Sequence, residues 1–153
     1  MRKIIMAFPH LRADVPVKLL EDKEPEMCEA VWKVLEKPTR MICQHTLSTG
    51  DYFQLSGRPP RHPVKLGSQA FPLGRSRVLL CQLEPGSMIY AGGYEFAVAY
   101  GPHVTEPLMA RGPVVGRVPE EALQDLWKGG RSIWEAQDLI HRLVIITLSR
   151  EEM

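Results

Sequence analysis

Two histidines and one carboxylate are the groups in this chain best suited to moving protons near neutral pH. His45 stands between strand-like apolar residues and a turn, and an imidazole there can serve as general acid or base. His103 and Glu106 lie three apart in Gly101-Pro102-His103-Val104-Thr105-Glu106-Pro107, a rigid loop in which a carboxylate could orient a ring for proton transfer. Tyr52, Tyr94 and Tyr100, with Phe53, offer aromatic surface with polar tips, the composition of a small-molecule pocket wall. Arg40 offers a guanidinium fork for an anionic group. A hydrogen-bonded strand histidine, a solvated loop pair and ordinary barrel core would account for the same residues without any site, and both readings stay open.

Other chemistry lacks the residues it needs. Cys43 and His45 are one residue apart, but no second pair has ligand spacing, so no metal is expected. No glycine-rich phosphate loop precedes a helix, so no cofactor is expected, and no Gly-x-Ser-x-Gly elbow occurs to present a serine nucleophile. A net charge of +1 exerts no general pull on nucleic acid or an anionic membrane. Residues 56–77 nonetheless collect Arg58, Arg61, Lys65, Arg75 and Arg77 with no acid among them. They could clamp a carboxylate or phosphate, or simply keep a loop solvated. The longest apolar run, residues 143–148, is too short to span a bilayer, and Pro9, His10 and Arg12 break up the basic start before it could act as a leader. Three widely spaced cysteines form no disulfide framework, which points to the cytoplasm.

These groups need a scaffold, and 153 residues with 44% hydrophobic content suit one domain, residues 1–153. Strands are expected at residues 4–8, 15–20, 40–46, 51–55, 78–83, 87–91, 94–100, 114–118 and 140–148. Gly92-Gly93 should form a hairpin turn with positive φ. In the strand after it, Tyr94, Phe96, Val98 and Tyr100 share a bulky face, while Glu95, Ala97 and Ala99 share a small one that could lie under a helix or line a cavity. Pro25 opens a first helix, with Met27, Cys28, Val31, Trp32 and Leu35 as its buried stripe. Pro119 opens a second over residues 119–128, with Ala122, Leu123, Leu126 and Trp127 buried and Gly129-Gly130 as its stop. Residues 56–77, rich in proline and glycine, should be a long loop.

Lys18-Leu19-Leu20-Glu21-Asp22-Lys23-Glu24-Pro25, running into Glu29-Ala30-Val31-Trp32-Lys33-Val34-Leu35, resembles the strand-turn-helix opening of cyclophilins. Residues 86–91, 95–101 and 114–127 look more like a bacterial and archaeal branch of cyclophilin-like proteins, mostly of unassigned function, related to the barrel domain of cucumopine synthase-like proteins. The resemblance implies a closed β-barrel of about eight strands capped by two helices. It also implies condensation or lyase-type chemistry joining an amino acid and a keto acid. The Phe-His-Arg and Phe-x-x-Gln-Gly-Gly motifs of the prolyl isomerases are missing from residues 40–54, which ranks that activity last.

The expectation is therefore a small-molecule protein, binding an anionic metabolite in a barrel-wall pocket with metal-free acid/base chemistry. His45, His103 and Glu106 would handle protons, and Arg40, Tyr52, Tyr94 and Tyr100 would hold the ligand. A non-enzymatic peptide or protein interaction module is the alternative. A small barrel with exposed edges is also compatible with a homo-oligomer.

Overall fold

A computed structural model describes residues 1–58 and 68–151. Eight strands are formed: β1 (Lys3–Phe8), β2 (Ala13–Leu19), β3 (Thr39–His45), β4 (Gly50–Ser56), β5 (Ser87–Gly92), β6 (Glu95–Val104), β7 (Val114–Arg117) and β8 (Val144–Arg150). They close into one barrel in the order β1-β2-β7-β5-β6-β4-β3-β8, and every neighbouring pair is antiparallel. Closure leaves no free sheet edge within the barrel. Alternation decides which side chains enter the core. Ile4, Met6 and Phe8, then Val15, Val17 and Leu19, then Met41 and Cys43, then Phe96, Val98 and Tyr100 point inward at every second position. Gly92 and Gly93 make the β5–β6 turn at φ +99° and +53°, conformations costly for any residue with a Cβ.

Helix α1 (Pro25–Val34) covers one end of the barrel and α2 (Leu123–Glu135) the other. Proline at the first turn of α1 loses no hydrogen bond, and Met27, Cys28, Ala30, Val31 and Val34 enter the core. Trp32 packs against that core only at its margin and is partly buried. It lies half-exposed between the guanidinium groups of Arg2 and Arg150, 4.9 and 4.6 Å from its ring centre.

The second helix corrects the sequence-based expectation. A short 3-10 turn (Glu120–Ala122) leads into α2, which runs straight through Gly129-Gly130 and continues as a π-helical turn (Ala136–Ile140). The glycines are the packing face rather than a stop. A Cβ at Gly129 would stand 2.7 Å from the Phe8 ring, and one at Gly130 2.3 Å from the Tyr100 ring. Only glycine lets the helix axis come this close to two core aromatics. Trp127 is 39% exposed and borders Tyr100 rather than filling the core.

The strand expected at residues 78–83 is instead a 3-10 turn (Leu80–Gln82), with one bridge between Leu79 and Met109. Leu80 and Leu83 are three apart and bury together, which a helical turn allows and a strand does not. They join Tyr52, Ile89, Ala97, Ala99, Val104 and Ala110 in a second apolar cluster on the outer wall. The last strand begins at Val144, because His141 at φ +61° ends the π-turn and redirects the chain. Of the basic 56–77 stretch, Arg61 and Lys65 lie outside the described residues.

Candidate functional site

The outer wall of β3, β4, β6 and β5 carries a groove of about 200 Å³. A row of facing residues crosses it: Ile89 opposite Ala97, Ala97 opposite Gln54, Gln54 opposite Gln44. Ile89 and Ala97 are buried and give an apolar floor, with Tyr52 at its side. Gln44 and Gln54 give two neighbouring amides, and neither makes a side-chain hydrogen bond to another described residue. Ser56 and Glu95, which face each other across β4 and β6, and Arg111 also line the groove. The small face of β6 is thus used to open space, since any bulkier residue at Ala97 would fill the groove.

Arg111 is exposed, and no carboxylate among the described residues is ion-paired with it. Its loop is held closely. Gly112 lies so tightly on β5 that a Cβ there would be 1.8 Å from the Tyr90 carbonyl oxygen. The Ala110 amide donates to the Val78 carbonyl at 2.9 Å, and the Arg77 guanidinium donates twice to the Ala110 carbonyl. Burial pushes the Tyr52 phenol up to about 12, with the Arg111 charge pulling against it and Glu106 adding to it. Tyr52 therefore faces the groove as a neutral hydroxyl.

A second polar cluster lies inside the barrel, beneath α2. His45 ends β3 and is buried. Its Nδ1 is 2.7 Å from the Thr46 carbonyl oxygen, which can only accept, so Nδ1 carries the proton. Nε2 is then the acceptor for the Tyr100 hydroxyl at 2.6 Å. Gln137, on the π-turn, accepts from the His45 amide and donates to the His45 carbonyl, both at 2.9 Å. It extends the sheet where β8 has stopped pairing. Burial lowers the His45 pKa, the Thr46 carbonyl opposes that shift, and Arg131 adds to it. Burial likewise raises the Tyr100 phenol against the nearby Arg131 guanidinium. The pair is a neutral imidazole held by a neutral phenol.

The sequence-predicted residues do not converge on one pocket. His45 and Tyr100 meet inside the barrel, whereas Tyr52 lies in the outer groove, with the wall between them. Tyr94 precedes β6, six residues and about 20 Å from Tyr100 at ordinary strand rise, and packs beside Gly57 and Met41. Arg40 is exposed on β3. His103 and Glu106 do not pair. His103 is exposed and its amide donates to Asp51 at 3.1 Å. Glu106 accepts from the Thr49 and Ser48 hydroxyls at 2.8 and 3.3 Å. Three-residue spacing brings side chains together on a helix, but the backbone here is an extended strand end. Gln44, Gln54 and Arg111 were not singled out. Glutamines carry no spacing signature, and the one signal for Arg111 is the Gly112-Pro113 that follows it.

Among the described residues no three His, Cys, Asp or Glu side chains are placed to hold a metal ion, and no helix is long and apolar enough to cross a membrane.

No family model and no curated protein matches the chain. Solved structures do. The structure of McbB in complex with tryptophan superposes over 98% of this chain with a TM-score of 0.80 at 22% identity, and this chain spans 45% of the McbB chain. The solution structure of the hypothetical protein AF2241 from Archaeoglobus fulgidus matches over 98% of this chain and 95% of its own, with a TM-score of 0.57 at 16% identity. The eight-stranded barrel with its covering helices is therefore an architecture that this chain shares with both proteins.

Proposed function

We propose that the protein binds a small organic carboxylate of amino-acid type in the outer groove. The observation that carries this reading is that the Arg111 side chain, which has no ion-pair partner among the described residues, lines one groove of about 200 Å³ with Gln44, Gln54 and Tyr52 over an apolar floor. The carboxylate meets Arg111, the amides and the hydroxyl take neighbouring polar groups, and the apolar part of the ligand rests on Ile89 and Ala97. A groove of this size fits one amino acid better than a dinucleotide or a drug-sized molecule. McbB, which shares the barrel, has been solved with tryptophan, and this supports an amino acid as the first ligand to try. No proton-transfer step is assigned to His45, because the barrel wall separates it from the groove.

Isothermal titration with L-tryptophan and L-phenylalanine tests the reading. A charge-assisted contact is worth about 1.5–3 kcal/mol, so Arg111→Met should weaken binding by roughly 10- to 150-fold. Equal affinity in wild type and variant would contradict the proposal.

A further inference from the structure

Glu24 is the one acidic residue of the chain found completely buried among the described residues. It immediately precedes Pro25 at the start of α1. Buried carboxylates are costly unless hydrogen bonds surround them. This one is surrounded by a single short segment. The Arg75 amide reaches both carboxylate oxygens at 2.9 and 2.8 Å, the Ser76 amide donates at 2.8 Å and the Ser76 hydroxyl at 3.2 Å. Next to it, Glu26 takes the Arg75 guanidinium through two bonds of 3.1 and 2.7 Å, and that guanidinium stacks on Phe71 at 4.1 Å.

What Glu24 holds leads directly to the groove. Two residues beyond Arg75, Arg77 grips the Ala110 carbonyl. From there residues 78–81 run alongside 106–110 through the Ala110–Val78, Leu80–Leu108 and Cys81–Glu106 backbone bonds. A separate contact makes the same connection. Gly74, at φ +87°, lies where a Cβ would be 2.6 Å from Pro113 and 3.1 Å from Glu24. The Arg111 loop is thus fixed from both sides, by Arg77 before it and by Gly74 against Pro113 after it. Both of these residues belong to the segment that Glu24 anchors.

We infer that Glu24 is a positioning residue for the groove: its buried carboxylate fixes residues 74–77, and through them sets where the Arg111 guanidinium stands. The inference rests on the groove being the ligand site. Glu24 touches no ligand itself and acts only on the carboxylate-binding end.

The experiment uses the full chain with two probes, L-tryptophan and tryptamine, which lacks the carboxylate. Wild type should prefer tryptophan, and Arg111→Met should lose that preference. Glu24→Gln keeps the shape but turns an amide donor toward backbone donors. It should weaken tryptophan by about tenfold and leave tryptamine within about twofold, and Glu24→Gln should add little in the Arg111→Met background. Equal weakening of both probes, or no change in either, overturns the inference. If wild type binds neither probe the groove reading fails, and amide hydrogen exchange decides the latch alone. The Ala110 and Leu80 amides should then exchange about tenfold faster in Glu24→Gln while the Phe53 amide stays unchanged, and unchanged exchange at Ala110 overturns it. Should Glu24→Gln not fold, Arg77→Met cuts the next link and carries the same expectations.

Discussion

Gly130→Ala is the substitution for which reading along the chain and reading across the fold give opposite signs. On helix propensity alone it should stabilise α2, since alanine exceeds glycine by about 1 kcal/mol inside a helix. The packing says otherwise. The new Cβ would fall 2.3 to 2.4 Å from three Tyr100 ring carbons, more than 1 Å inside ordinary contact. The ring has nowhere to retreat. Its hydroxyl is bound to His45 at 2.6 Å, and Phe53 and Trp127 flank it at centroid distances of 5.8 and 5.4 Å. Overpacking a rigid site costs roughly 1–3 kcal/mol, and this one belongs at the upper end. With the propensity gain subtracted, the variant should lose about 2 kcal/mol. For a domain of this size that lowers Tm by about 4–8 °C. Urea unfolding followed by circular dichroism gives the free energy, with Lys128→Ala on the exposed face of the same helix as a control. A Gly130→Ala protein as stable as wild type, or more so, would refute the close approach of α2 to Tyr100.

Two further outcomes are expected. Burial holds the folded pKa of His45, and of His10, below the ordinary 6.5, so the unfolded chain binds more protons as the pH falls below that value. Stability should therefore be full above pH 7 and decline as pH drops below 6.5. His45→Gln should flatten the decline measured by urea midpoints between pH 7.5 and 5.5, and an unaltered slope would speak against a buried neutral imidazole. Burial also pushes the Cys28 and Cys43 thiols up to about 12, whereas Cys81 is exposed. A disulfide reagent at pH 8 should titrate one thiol quickly in the native protein, and three fast thiols would contradict the packing of both inner cysteines.

The barrel was legible in the sequence because its signals are local. Alternation marked most strands, Gly92-Gly93 marked a hairpin, and Pro25 marked a helix start. Gly129-Gly130 misled because the same dipeptide that ends a helix also lets one approach Phe8 and Tyr100, and the partners that decide between the two lie more than 25 residues away in sequence. Residues 78–83 misled because an apolar run can bury by helical turn as well as by alternation. The groove was half visible. The small face of β6 was compatible with a cavity as well as with a covering helix, and Tyr52 lies at the side of the groove. Gln44 and Gln54 meet only through the β3–β4 register, and Arg111 reaches them only through a loop fixed by Glu24, Arg77 and Gly112. No spacing rule connects residues whose proximity is made by barrel closure.

Ligand binding in the outer groove is open to direct observation, residue by residue. Titrating isotopically labelled protein with L-tryptophan and following its amide and side-chain NMR signals tests it most directly. Binding in the groove should give saturable shifts of the Gln44 and Gln54 side-chain amides, of Ile89 and Ala97, and of the Arg111 guanidinium, with the His45 and Trp32 signals unmoved. Shifts centred on Trp32 or on His45 and Tyr100, or none at millimolar amino acid, would contradict it.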